Sequence, residues 1–152
     1  MTGNNQLPLN EAVTALTLEV FRFNGQLLAV GDELGRDLGL SSARWQVLSA
    51  VVDTPLSVAH VAFNRGLTRQ SVQRVANLLA EEKLIIFTEN PRHRRAKLVT
   101  LTELGRASLS AVIARHTDWV NKVVAGIDSN IIAAAAATIT MLRQRIETEE
   151  SK

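Results

Sequence analysis

The stretch that decides the fold runs from Leu67 to Gly105 and reads LTRQSVQRVANLLAEEKLIIFTENPRHRRAKLVTLTELG. Its pattern predicts an amphipathic helix that begins after Thr68, a strand over 84–88, a basic loop, a return strand over 97–101 and the start of a second helix. A helix of this kind fits the major groove of B-DNA, and an arginine-bearing loop fits the neighbouring minor groove. The stretch therefore indicates duplex DNA as the binding partner.

Two shorter helices precede this one and complete a helix-turn-helix pattern. Ser41 or Ser42 is predicted to cap the first, and Ser57 the second, which a turn at 64–66 joins to the cap at Thr68. In the helix after Thr68, the predicted buried stripe is Val72, Val75, Ala76, Leu78 and Leu79, and the open face is Arg69, Gln70, Gln73, Arg74 and Asn77. A polar outer face on the second helix of such a pair is typical of DNA readers.

Long helices are predicted on both sides of this region. Apolar residues recur at helical spacing over 9–34, and two further helices fill 102–149, while residues 1–8 are predicted to be a tail. Both flanking regions are apolar enough to need more partner surface than one small domain supplies, so we expect a homodimer. The predicted fold class is mainly α (α+β), with a single domain over 1–152 and a DNA-binding lobe over 41–101.

Charge is concentrated in the same part of the chain. Between Phe63 and Lys97 the chain has eight positive and three negative side chains, a net charge of +5, whereas the whole chain carries only +2. A basic patch on a slightly acidic body is the pattern expected of a phosphate-binding surface. A solvated surface that happens to be basic is the alternative.

Several other classes of protein are disfavoured by composition. The chain has no cysteine, which excludes disulfides and thiolate zinc sites, and its three histidines lack metal-ligand spacing. No glycine-rich phosphate loop or nucleophile elbow is present, so we expect neither an enzyme nor a cofactor. The longest apolar run, 131–137, is too short for a bilayer and no signal peptide is visible, so we expect a cytoplasmic protein without membrane contact.

The helix-turn-helix, the segment ENPRHRRAK and the following LVTLTELG together resemble the MarR family of winged-helix transcription regulators. The resemblance covers nearly the whole chain. It implies a homodimer whose terminal helices dimerize, two winged lobes on a palindromic operator, and, in many members, release by a small aromatic ligand. Arg95 matches the family's minor-groove arginine. His93 stands where members usually carry an acidic residue that positions this arginine.

We predict a DNA-binding set from these arguments. Gln70, Ser71, Gln73 and Arg74 would approach base edges, while Arg94 and Arg95 would enter the minor groove. The full set is Ser41, Ser42, Arg65, Thr68, Arg69, Gln70, Ser71, Gln73, Arg74, Arg92, His93, Arg94, Arg95 and Lys97. Protonation of His93 would make the wing more positive below neutral pH, although a solvent-facing histidine without a role is an equal alternative.

A ligand site is a further expectation, in the cavity that the resemblance implies between the dimerization helices and the lobe. Phe21, Arg22, Trp45 and His60 are its candidate lining residues, with core packing as the alternative for Trp45. Three readings of function stay open at this point: a repressor, an activator or ligand-independent DNA-binding factor, and a protein-interaction module that uses the same fold without DNA.

Overall fold

The computed structural model describes residues 8–150, and its elements follow the predicted order. The helices are α1 (Leu9–Gly35), α2 (Ser42–Ala50), α3 (Val58–Arg65), α4 (Arg69–Glu81), α5 (Glu103–Val123) and α6 (Ser129–Glu150), and the strands are β1 (Leu56–Ser57), β2 (Ile85–Thr88) and β3 (Leu98–Leu101). A short 3₁₀ turn, Arg36–Leu38, follows α1. Most of the predicted tail lies outside the described residues. The winged-helix fold with long flanking helices is confirmed.

The chain divides into two compact units, one ending at His116 and the other beginning at Thr117, so the boundary falls within α5. The first unit contains the hydrophobic core, which α2, α3, α4 and the strands build largely from aliphatic side chains. Leu48, Val61, Ala76, Leu79 and Val99 are all fully buried there. The second unit contains α6, which buries none of its described residues.

A three-stranded antiparallel sheet, in the order β1-β3-β2, closes one side of the lobe. Val99 at its centre pairs with Leu56 of β1 and with Phe87 of β2. The sequence predicted only the β2–β3 hairpin, whereas the structure adds β1 as a third strand. A strand of two residues is too short to show the alternation by which strands are recognised, so only its tertiary pairing reveals it.

Close contact between α1 and α2 depends on Gly31. A Cβ atom at this position would lie 2.0 Å from the Ser42 hydroxyl oxygen, a separation that atoms cannot adopt. The Ser42 hydroxyl donates to the Leu28 carbonyl at 2.7 Å, and the Ser42 N–H donates to the Asp32 carboxylate at 2.6 Å. Both bonds tie the start of α2 to the middle of α1.

The helix α4 is built largely as predicted. Thr68 is its N-cap, and the Thr68 hydroxyl accepts a hydrogen bond from the Ser71 N–H at 3.1 Å. Val72, Val75, Ala76 and Leu79 form the buried stripe, but Leu78 is 41% exposed, contrary to the prediction. Successive residues of an α-helix turn by about 100°, which carries Leu78 away from the side on which Leu79 is buried.

Arg115 of α5 holds the end of α1. Its guanidinium donates to the Leu34 carbonyl at 3.0 Å and to the Asp37 carboxylate at 2.9 Å. The hydrogen bond from Arg115 lowers the pKa of Asp37, and the same bond raises the pKa of Arg115. Both groups lie at the surface, so this ion pair is a modest and acid-sensitive contribution to stability.

Candidate nucleic-acid interface

An open groove of about 540 Å³ lies between the first turns of α4 and the hairpin loop of β2 and β3. Five of the predicted DNA-binding residues line it: Arg69, Gln70, Gln73, Arg95 and Lys97. Three of these five are cations, and the groove has no acidic side chain among its described lining residues. The groove therefore presents positive charge and amide hydrogen-bonding groups together on one open surface.

The first turns of α4 supply one wall. Capping by Thr68 begins the helix at Arg69, which places the Arg69 and Gln70 side chains at its exposed N-terminal end. Unpaired N–H groups and the helix dipole make a helix N-terminus favourable for phosphate. The Arg69 guanidinium adds a full positive charge to the partial positive charge of the helix N-terminus.

The hairpin loop, which we call the wing (Glu89–Ala96), supplies the other wall. Two consecutive turns build it, because the His93 N–H donates to the Asn90 carbonyl at 3.1 Å and the Ala96 N–H donates to the His93 carbonyl at 2.9 Å. The Asn90 side chain accepts from the Arg92 N–H at 3.0 Å and fixes the first turn. Backbone bonds thus order the wing without the acidic residue that the family resemblance led us to expect at His93.

The basic side chains of the wing all face solvent. Arg92, His93, Arg94 and Arg95 are exposed. Of these four, only Arg95 lines the groove, next to Ala96 and Lys97. Arg95 is therefore the wing arginine that shares a surface with the first turns of α4.

Other predicted residues already have intramolecular partners. The Ser71 hydroxyl donates to the Thr68 carbonyl at 2.9 Å, and the Arg65 guanidinium donates to the Ser49 hydroxyl at 2.9 Å. Arg74 is exposed on α4 but does not line the groove. The described contacts leave Arg74 free to meet a phosphate, whereas Arg65 would first have to leave Ser49 and the Ser71 hydroxyl is used within the helix cap.

The prediction that Ser42 contacts phosphate is wrong. Its side chain is only 3% exposed, and its hydroxyl is bonded to the backbone of α1. Ser41 is exposed, but the Asp32 carboxylate already occupies the N-terminus of α2 through the Ser42 N–H. A carboxylate there repels phosphate, so the structure argues against Ser41 as well.

The four candidate ligand residues do not converge in the described chain. Trp45 packs against α1 near Gly31 and lies 5.5 Å from the His116 ring, measured between ring centroids. Arg22 is exposed and paired with Glu19, and nine residues of helix, about 13 Å, separate it from Gly31. Phe21 is 69% exposed beside Arg22.

His60, the fourth candidate, has its hydrogen-bond partner at the start of α3, whereas Trp45 belongs to α2. Its ring nitrogen Nδ1 is hydrogen-bonded to the Ser57 hydroxyl at 3.0 Å, and Ser57 also accepts from the His60 N–H. Its neighbours Ser57, Val58 and Ala59 line the groove. His60 therefore stabilises the start of α3, and a role in a shared ligand cavity with Trp45 is not supported.

Sequence reasoning missed part of the groove. Ser57, Val58, Ala59 and Phe87 line it without having been proposed for it. Ser57, Val58 and Ala59 reach it because β1 pairs with β3, which brings the start of α3 next to the wing, whereas Phe87 lies on β2. The local sequence pattern around 56–57 does not predict that β1 pairs with β3.

Within residues 8–150, no cluster of three or more histidine or acidic side chains is arranged to hold a metal ion. In the same range, no helix is both long and apolar enough to cross a membrane.

A helix-turn-helix followed by a basic antiparallel wing defines a winged-helix DNA-binding protein, and comparison with known proteins agrees. A family model described as MarR family matches residues 38–96. An uncharacterized protein of Mycobacterium tuberculosis is 38% identical over 138 residues, which are 91% of this chain and 94% of that protein. The transcriptional regulator TcaR of Staphylococcus aureus is 25% identical over 118 residues, 76% of this chain and 78% of TcaR.

Solved structures share the fold at lower identity. The regulator BldR of Sulfolobus solfataricus superposes with a TM-score of 0.78 at 17% identity, covering 91% of this chain and 99% of BldR. CouR of Rhodococcus jostii, solved bound to p-coumaroyl-CoA, superposes with a TM-score of 0.76 at 22% identity, covering 84% and 90% of the two chains. The chain belongs to the MarR family and is a winged-helix DNA-binding transcriptional regulator.

Proposed function

We propose that the protein is a homodimeric repressor that binds a palindromic operator through the groove between α4 and the wing. The observation that carries the proposal is the shared lining of that groove by Arg69, Gln70 and Gln73 from the helix and by Arg95 and Lys97 from the wing. The amides suit the edge of adenine, and the cations suit guanine or phosphate. Base reading and phosphate anchoring are thus available on the same surface.

Exposed apolar side chains support a dimer. On α1 the most exposed are Leu9, Leu18, Phe21 and Phe23, and on α6 they are Ile131, Ile132 and Ile146, each at least half exposed. Apolar surface on this scale marks an interface in a protein that stays in solution. Two identical lobes related by a two-fold axis would require a palindromic site with half-sites about 34 Å, one helical turn, apart.

Repression is the simplest outcome of such binding, because a dimer seated on a promoter excludes other proteins from it. Activation is the alternative. In vitro transcription from a template that carries the selected operator separates the two, since a repressor lowers the yield of transcript and an activator raises it. A protein-interaction module, the third reading, would bind its partner with little dependence on salt.

Ligand-induced release is the second part of the proposal. Trp45 supports it, because its indole N–H is buried without a hydrogen-bond partner in the described chain, next to the contact between α1 and α2. A ligand that offers an acceptor there would satisfy the indole and change how α1 meets the lobe. CouR, which shares the fold, was solved with p-coumaroyl-CoA, so this compound is a reasonable first probe.

Trp45 fluorescence tests the ligand proposal directly. The chain has two tryptophans, so Trp119→Phe leaves Trp45 as the only indole. Saturable quenching by p-coumaroyl-CoA, together with loss of operator binding at the same concentrations, is the expected result. Quenching of Trp45 without release of DNA would show that the compound binds the protein, and it would contradict ligand-induced release.

The DNA-binding proposal is tested by comparing two arginines. Arg95→Ala should weaken binding to a selected operator by at least about tenfold, because each lobe loses a charge-assisted contact. Arg36→Ala is the matched control, since Arg36 is exposed in the 3₁₀ turn and paired with Glu33. Equal affinities of the two variants in a fluorescence-anisotropy titration would refute the role of the wing.

A further inference from the structure

Asn77 lies one turn beyond the groove on α4. The Gln73 side-chain N–H₂ group donates to the Asn77 carbonyl oxygen at 2.8 Å, between positions i and i+4. Both side chains are exposed, and of the two only Gln73 lines the groove. Asn77 is thus placed to act on the groove through Gln73.

We propose that Asn77 is a positioning residue that fixes the orientation of the Gln73 amide and thereby makes Gln73 a reader of adenine. This inference rests on the proposed function, because it assigns a base preference to the same groove. It adds a specificity-determining residue that does not itself line the groove.

The hydrogen bond to Asn77 decides which groups of the Gln73 amide stay available for a base. A glutamine side chain has two N–H donors and one carbonyl acceptor. When one N–H is bonded to Asn77, the remaining N–H and the carbonyl oxygen form a donor–acceptor pair. Adenine presents the complementary pair in the major groove, with N7 as acceptor and the N6 amino group as donor.

The opposite orientation of the amide would read a different base. If the Gln73 carbonyl were turned toward position 77, only its N–H donors would face the DNA. Guanine presents two acceptors, N7 and O6, and suits that arrangement. An acceptor at position 77 therefore favours adenine over guanine, and its removal lets both orientations occur.

The position of Gln73 makes such reading feasible. It lies in the second turn of α4, in line with the N-terminal turns through which recognition helices contact base edges. Val72 and Val75 on the buried side hold the helix in the core, so the Gln73 backbone is fixed and only its side chain can reorient. A single neighbouring acceptor is then enough to bias the amide.

Three variants of the full-length chain test this inference. Asn77→Ala removes the acceptor, Asn77→Asp keeps a carbonyl-type oxygen at the same place, and Gln73→Ala removes the reader. The wild-type protein is first used to select duplexes from a random pool. Dissociation constants are then measured by fluorescence anisotropy for every single-base change in the selected operator.

The wild-type protein should prefer adenine at one position of each half-site, and Gln73→Ala should abolish that preference. A good bidentate contact discriminates by about 5- to 150-fold, which sets the preference that Gln73→Ala should remove. An exposed hydrogen bond between side chains at i and i+4 biases the amide by much less, so Asn77→Ala should lower the adenine-to-guanine ratio at one half-site by about 1.4- to 2.3-fold. Asn77→Asp should keep the ratio while weakening binding to all sequences through its added negative charge. A merely structural role for Asn77 would weaken all sequences equally and leave the ratio unchanged.

The outcomes separate the two proposals. A wild-type ratio retained in Asn77→Ala, or an adenine preference that survives in Gln73→Ala, overturns this inference and leaves the proposed function intact. A wild-type chain that selects no sequence from the pool overturns the proposed function and this inference with it. The double variant Gln73→Ala with Asn77→Ala should behave like Gln73→Ala alone, because Asn77 acts only through Gln73.

Discussion

Replacement of Arg69 by glutamine is the sharpest test of the phosphate contacts. Arg69 is exposed at the N-terminus of α4 and lines the groove, so it is the cation best placed for a phosphate beside the recognition helix. Each phosphate neutralised by a protein contributes about 0.9 to the slope of log K against log salt. A dimer loses two such contacts in Arg69→Gln, so the slope should fall by about 1.8.

This change in slope gives a measurable difference in affinity. Between about 50 and 200 mM salt the concentration rises fourfold, so wild-type affinity should fall about 12-fold more than the affinity of the variant. Anisotropy titrations of one operator at four or five salt concentrations give both slopes. Glutamine keeps hydrogen-bonding capacity, so the comparison isolates the charge.

The control for this measurement is Arg36→Gln, which removes one positive charge from the 3₁₀ turn after α1, outside the groove. Its slope should match that of the wild-type protein. If Arg69→Gln weakens binding at every salt concentration without changing the slope, Arg69 contacts something other than phosphate, and the placement of the DNA backbone at the start of α4 is wrong.

Three further predictions concern the scaffold that presents the groove. Gly105→Ala should lower the free energy of unfolding by about 2 kcal/mol or more in urea titrations, because the new Cβ would lie 1.9 Å from the Leu84 carbonyl oxygen; a loss below about 0.5 kcal/mol would contradict the packing. Asp37→Asn should be less stable than wild type at neutral pH. That difference should narrow below about pH 4, because the lowered pKa of Asp37 means that its bond with Arg115 is lost only on acidification. Thr68→Ala should cost about 1 kcal/mol of thermal or urea stability through loss of the α4 cap, and an unchanged midpoint would show that the cap contributes nothing.

Local features of the sequence were reliable guides because they act over a few residues. Thr68 and Ser57 each cap a helix through a bond to the N–H three positions on, so the cap and its target are visible together in the sequence. The period of apolar residues likewise predicted α1 and the buried stripe of α4. Leu78 is the exception, because the spacing of apolar residues does not show where the buried face of a helix ends and its exposed face begins.

Caps and apolar periodicity did not predict contacts between segments that are distant in the sequence. Ser42 has the residue type and position of a phosphate-binding cap, but its hydroxyl is used by Leu28, fourteen residues earlier. The resemblance groups His60 and Trp45 as candidate ligand residues, yet the His60 ring is bonded to Ser57 and the Trp45 ring lies beside the His116 ring. The local sequence around these residues does not predict which distant segments contact them in the folded chain.

The amino-acid sequence by itself determined the order of helices and strands, the positively charged wing and the membership of the MarR family. The tertiary structure alone decided which of fourteen candidate side chains share one groove, that β1 joins the sheet, and that the Gln73 side chain is hydrogen-bonded to Asn77. Caps and periodicity are set by interactions along one segment, whereas a groove forms only where segments distant in the chain pack together, and burial there decides which polar groups stay free.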